Sequence, residues 1–346
     1  SAYEDISGSA PDGSDNNSSD GNGNNIPAPG QITAGEWNDL EHWSFWQDLM
    51  QQETFSEYTG HWGFYPFNRY KLTLTSQANK AIVDAEIKLQ SADGHAIWQA
   101  RTDHAGNAEL WHGLYGDDPS PARIHISYAG KTWEISPVSN YSQDSMTYQL
   151  PVKGNSPKQL DVMFIVDATG SMGDEIDYLK AELADVLNRV QNTYTELNLR
   201  LGAVFYRDQG DEFITRSFNL SGDWGAIIEH IATQEANGGG DYPEAVDLGV
   251  ETGIMQQNWS DTAISRLVFL VLDAPPHKQN AAISKIRETV KYASQSGVKI
   301  IPVTASGTDL STEMLMRFMA ISTNGTYVFI TDDSGIGGDH LEPSVG

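Results

Sequence analysis

The chain has no cysteine among its 346 residues, which excludes disulfides, zinc–thiolate sites and cysteine nucleophiles. Positive charge is scarce: 21 Lys and Arg face 47 Asp and Glu, a formal net charge of −26. Sequence-independent binding to nucleic acid or to an anionic membrane surface needs basic patches, so both are excluded. Long apolar runs are missing too, and none approaches the roughly 18–20 residues of a membrane span. Gly-x-Ser-x-Gly, His-Glu-x-x-His and Gly-x-x-x-x-Gly-Lys-Ser/Thr do not occur, so the commonest hydrolase and nucleotide-binding signatures are absent. What is there is apolar material for real cores, 39% hydrophobic and 10% aromatic. The length suggests two domains.

The charge is unevenly spread. Residues 1–68 carry eleven acids and no Lys or Arg, a balance of −11. Residues 69–158 carry nine of each and balance to zero, and residues 159–346 carry 27 acids against 12 bases, a balance of −15. Within the first block, Gly, Ser, Asn, Asp and Pro supply 23 of residues 1–34. So little apolar surface cannot offset ordering entropy, and a flexible tether is expected. Its composition, and a start at Ser1 rather than Met, look like a processed bacterial secreted protein or lipoprotein, hence a cell-surface location with a lipid anchor upstream. An expression remnant on a cytosolic protein is the alternative.

Residues 35–68 form an aromatic segment. Trp37, Leu40, Trp43 and Leu49 recur at multiples of three, which predicts a short amphipathic helix packing onto the following domains. Tyr58 to Phe67 is read as an aromatic loop, either an internal packing staple or a sugar-binding cluster. Residues 69–153 alternate apolar and polar residues in short runs, such as Ile87/Leu89 and Ile124/Ile126, with turns at Asp93-Gly94 and His104-Ala-Gly106. That pattern predicts an all-β sandwich. The run Thr102-Asp103-His-Ala-Gly106-Asn-Ala-Glu-Leu110 resembles carboxypeptidase-regulatory or Cna-B immunoglobulin-like modules, which space or present other domains.

Residues 159–331 alternate apolar strands with helical periods. Strands are expected at 160–166, 199–205, 213–218, 267–272, 298–303 and 326–330. Helices are expected at 174–190, 224–231, 245–255, 281–294 and 313–321. This is the pattern of an α/β fold, a doubly wound, mostly parallel sheet. In such sheets ligands sit beyond the carboxyl ends of the strands. Asp167-Ala-Thr169-Gly-Ser171-Met172 follows the first buried strand, and Asp273-Ala-Pro-Pro-His277 follows 267–272. Gly238-Gly-Gly-Asp241-Tyr-Pro-Glu244 lies between them. Carboxylates and hydroxyls with no soft ligand suit a hard cation, Mg²⁺ or Ca²⁺.

Asp167-x-Thr169-x-Ser171 resembles the Asp-x-Ser/Thr-x-Ser signature of the von Willebrand factor A domain family, and the likeness runs through 159–330. Tyr206-Arg207-Asp208 and Gly-Gly-Gly-Asp241-Tyr-Pro243-Glu244-Ala245 look like one extracellular branch of it. The resemblance implies a metal-ion-dependent adhesion site (MIDAS) holding one Mg²⁺ or Ca²⁺. Thr169 and Ser171 are then direct hydroxyl ligands, while Asp167 and Asp273 hold the ion or its waters. The family's middle loop usually carries a Thr that is lacking here, and Asp241 is the substitute. Asp241 has a second reading, as N-cap of a capping box with Pro243 and Glu244. His277 reads as a surface loop residue, and Arg207 and Asp208 as rim or ion pair.

The function implied is a cation-dependent protein-binding or adhesion module, not an enzyme. Its partner, a protein or surface ligand, completes the coordination with an Asp or Glu carboxylate. The alternatives are a structural component of a surface assembly with a vestigial metal site, and a metal-dependent hydrolase built on Ser171, His277 and Asp273. The Gly- and Asp-rich tail, 332–346, reads as an exposed acidic tail or a second calcium site.

Overall fold

In the computed structural model, residues 33–142, 144–240, 242–331 and 338–346 are described. The tether expected over 1–34 lies almost wholly outside the described residues, and Asp241 lies outside them too. The chain enters through β1 (Ala34–Trp37) and two helices, α1 (Trp43–Gln51) and α2 (Glu53–Trp62). Trp43, Trp46, Leu49 and Met50 bury one face of α1. The aromatic loop expected from Tyr58 is a helix as far as Trp62. Phe55, Thr59 and Trp62 keep a three-to-four spacing that the surrounding aromatics mask. Gly63, at φ 67°, ends the helix in the left-handed region, where glycine carries no Cβ penalty.

Seven strands follow: β2 (Asn68–Ser76), β3 (Glu86–Ser91), β4 (Ala96–Arg101), β5 (Asn107–His112), β6 (Pro121–Tyr128), β7 (Lys131–Ile135) and β8 (Met146–Leu150). They form a three-stranded sheet, β5-β2-β8, and a four-stranded antiparallel sheet, β4-β3-β6-β7. The expected alternation holds, with Ile87, Leu89, Ile124 and Ile126 all buried. Gly106 sits at φ 81°, and a Cβ there would stand 2.4 Å from the Leu74 carbonyl oxygen. The turn therefore requires glycine.

The remaining elements are β9 (Gln159–Asp167), α3 (Gly173–Thr193), β10 (Asn198–Tyr206), β11 (Thr215–Ser221), α4 (Trp224–Ala232), α5 (Val246–Val250), β12 (Ser265–Leu272), α6 (Asn280–Ser296), β13 (Val298–Thr304), α7 (Leu310–Ser322) and β14 (Tyr327–Ile330). The helix expected over 245–255 is α only to Val250 and continues as a π stretch, Glu251–Met255. Gly253 in that stretch lies so close to β9 that a Cβ would meet Ile165 at 2.5 Å. The central sheet runs β1-β14-β13-β12-β9-β10-β11. Its four inner ladders are parallel and its two edge ladders antiparallel. From β9 the order runs to β10 on one side and to β12, β13 and β14 on the other, so the crevice expected to hold a ligand opens between β9 and β12. The edge strand β1 was not foreseen: its four residues show no alternation long enough to read. Gly35 in it passes beneath the Phe329 ring, 2.3 Å from where a Cβ would stand.

One face of the sheet packs α3 and α4 through Val162, Phe164, Val166, Leu183 and Ile227. The other face shares one continuous core with α5 to α7, the small sheets and α1 and α2. Polar ties reinforce that junction. Asp84 accepts from Arg266 at 2.8 and 2.9 Å, from Arg101 at 2.6 Å and from the Ala263 amide at 2.9 Å. Arg317 on α7 donates twice to Asp39, at 2.6 and 2.9 Å, once to Glu313 at 3.2 Å and once to the Ser344 carbonyl at 2.7 Å. Residues 338–346 thus lie along α7 rather than projecting: the Ser344 amide also donates to Glu313, and Gly307 donates to the Asp339 carbonyl. No helix among the described residues is long and apolar enough to cross a membrane.

Candidate metal centre

Asp167 is the last residue of β9 and is fully buried. Its Oδ1 accepts from the Thr169 amide at 2.9 Å and the Thr169 hydroxyl at 2.6 Å, leaving Oδ2 without a hydrogen bond. Thr169 begins a 3₁₀ turn, Gly170–Met172, that feeds α3. The turn brings the Thr169 hydroxyl to 3.5 Å from that of Ser171, which is exposed. Asp273 follows β12, is buried, lies beside Ser171 and keeps Oδ1 unpartnered.

The glycine loop closes the third side. Asn237 donates to the Ala168 carbonyl at 3.0 Å and Gly170 to the Gly238 carbonyl at 3.1 Å. A Cβ on Gly239 would stand 3.1 Å from both Thr169 and Glu244. The result is an open cleft of about 400 Å³ whose lining includes Thr169, Ser171, Gly239, Tyr242, Glu244 and Asp273.

Two groups here escaped the sequence reading. Glu244 is buried with Oε2 unpartnered. Its residue is not the third position of a helix. The helix starts at Val246, and Glu244 instead forms a bridge with Pro276. Glu244 is therefore not the third residue of a capping box, and the Asp241 half of that reading lies outside the described residues. Tyr206, at the end of β10, is fully buried against Asp167, yet its hydroxyl meets no partner at hydrogen-bond geometry. Of the other residues weighed, Arg207 supports the loops by donating to the Ala168 and Glu235 carbonyls at 3.1 and 2.9 Å. His277 is half-buried, and its Nε2 stands 2.7 Å from Asp208 Oδ1.

The electrostatics are those of a crowded set of acids. Burial, then Asp273, pushes the Asp167 carboxyl up to about 7. Burial, then Asp167 and Asp208, pushes Glu244 up to about 8. Burial and then Glu175 raise Asp273, and burial with the same carboxylates holds the Tyr206 phenol far above its ordinary value. Among the described residues no three His, Asp or Glu side chains close to ligand spacing. The donors this cleft offers are therefore carboxylates together with hydroxyls. Three buried carboxylate oxygens without partners, beside two hydroxyls, fit a hard cation.

The von Willebrand factor type A domain family matches residues 161–338. The chain belongs to this family. An ariadne-like RING finger protein, R811, of Acanthamoeba polyphaga mimivirus is 32% identical over 132 residues, which is 37% of this chain and 12% of that protein. The alpha-protein kinase vwkA of Dictyostelium discoideum is 29% identical over 120 residues, 34% of this chain and 19% of that one. The chain thus spans less than a fifth of either relative. Among solved structures, the pilus adhesin SpaC from Lactobacillus rhamnosus GG superposes with a TM-score of 0.38 at 15% identity, over 50% of this chain and 29% of that one. Its open conformation gives 0.37.

Proposed function

We propose that this von Willebrand factor A protein is a divalent-cation-dependent protein-binding module of adhesion type. The observation that carries the reading is the set of unpartnered, buried oxygens of Glu244 and Asp273, which line an open cleft, and of Asp167 beneath Thr169. Mutual repulsion and burial make these charges costly unless a cation compensates them. Thr169 and Ser171 would ligate through their hydroxyls, with Asp167, Asp273 and Glu244 holding the ion or its waters, and Asp241 from the adjoining loop as a further donor. A bound Mg²⁺ or Ca²⁺ supplies a coordination position that a partner's Asp or Glu carboxylate can take. The chain's own part is to fix the hydroxyls on the 3₁₀ turn and keep the cleft open.

Residues 69–153 are read as an immunoglobulin-like spacer, and the Gly/Ser/Asn/Asp-rich residues 1–34 as a surface tether of a secreted protein or lipoprotein. The composition of these segments supports both readings. The test is thermal denaturation with Mg²⁺ or Ca²⁺ against EDTA. At 100 times Kd, the ion should add about 2.7 kcal/mol of stability, and Thr169→Ala should lose that gain while remaining folded in EDTA. An unchanged melting temperature for the parent protein across a millimolar titration overturns the reading.

A further inference from the structure

A second cleft, also of about 400 Å³, opens between β3–β4 of the four-stranded sheet and the C-terminal half of α6. It shares no lining residue with the metal cleft. Junctions between packed units are common places for ligand pockets.

Its polar groups fall into two sets. Arg101 and Arg266 are bound to Asp84, and the Ser260 hydroxyl donates to Asp161 at 3.0 Å, so these are committed to the fold. Among the described residues, the side chains of Lys88, Gln99, Asn258 and Gln295 line the cleft with no hydrogen-bond or ion-pair partner. Three of these four are neutral, able to donate and, for the amides, to accept. Glu86, which pairs with Arg101 at 3.3 Å, and Asp261 share the lining with Lys88, so that with Asp84 three carboxylates stand against the three cations Lys88, Arg101 and Arg266. The cleft therefore lacks the cationic surplus that a phosphate or nucleotide requires. It is not purely polar either. Trp259 and Tyr292 line it half-buried, and Trp259 Nε1 donates to the Ile254 carbonyl at 2.8 Å. That bond fixes the indole; both rings pack one side against the core and keep the remainder exposed along the cleft.

A ligand matching these walls carries many groups that both donate and accept, an apolar C–H face and no net charge. We propose that this cleft binds a neutral saccharide of one or two rings, independently of the metal centre.

Isothermal titration of the full chain with maltose, cellobiose, lactose and chitobiose tests this. At least one should bind with Kd on the order of 1 mM or tighter, with no change in EDTA. The double variant Asn258→Ala/Gln295→Ala, at two exposed positions, should weaken that binding about tenfold, and Tyr292→Ala should weaken it further. Absence of binding across the panel overturns the proposal, as does binding that survives the double variant. Binding lost in EDTA overturns it by assigning the sugar to the metal cleft. A sialylated lactose that binds about tenfold tighter than lactose overturns the neutral assignment.

Discussion

Asp167→Asn is the perturbation that isolates the cost of the buried acidic cluster. Asparagine keeps the shape of the side chain and an oxygen that accepts from the Thr169 amide and hydroxyl, and it removes the negative charge. The native carboxyl ionises only near 7, against an ordinary 3.8. Well below 3.8 the group is neutral in both folded and unfolded chains and contributes nothing. As pH rises from about 3 to 7 the unfolded chain releases its proton while the folded one retains it, so native stability declines through that window and then levels. Moving the carboxyl from 3.8 to about 7 corresponds to a full penalty of about 4 kcal/mol at pH 8. Urea denaturation in EDTA should therefore find the variant and the parent nearly equal at about pH 3. At pH 8 the variant should be more stable by up to about 4 kcal/mol. In saturating Mg²⁺ the order should reverse, because the parent alone gains binding energy from that carboxylate. A difference that does not vary with pH in EDTA refutes the electrostatic account of the site.

Three further outcomes are expected. Asp84→Ala leaves Arg266 buried and unpaired, and should cost about 3–5 kcal/mol by chemical denaturation. Arg317→Ala removes the clamp that joins α7 to Asp39 and Ser344 and should cost about 3 kcal/mol or more, read in the same way. Gly239→Ala meets a φ of 73° and the Thr169 side chain at 3.1 Å. It should cost about 1 kcal/mol in EDTA and, beyond that, diminish the cation-induced rise in melting temperature.

The α/β half was legible because β9 and β12 are near-continuous apolar runs, which parallel, doubly covered strands require. The placement of Asp167, Thr169 and Ser171 where a strand end turns into a helix was legible from their position after the apolar run. Glu244 was not, since Asp-x-Pro-Glu has the same composition as a helix start, and only the late start at Val246 separates the two. Tyr206 carried no signal, as a tyrosine ending a buried strand is ordinary core. The helix α2 was hidden by aromatics on several sides of it. The packing of 338–346 along α7 depends on Arg317 and Glu313, which lie far away in sequence. Burial of charged α7 residues against the N-terminal segment is invisible to any local window.

The antiparallel register of β1 on β14 has a directional consequence. Ala34 pairs with Ile330, at the end of the sheet where Asp167 also lies, and Trp37 pairs with Tyr327 at the far end. β1 therefore begins at the same end of the sheet as the candidate metal cleft. A partner that docks at the proposed metal cleft would therefore approach the end of the sheet at which β1 begins. A bulky fusion joined directly to Thr33 should slow its association before it alters the strength of the finished complex.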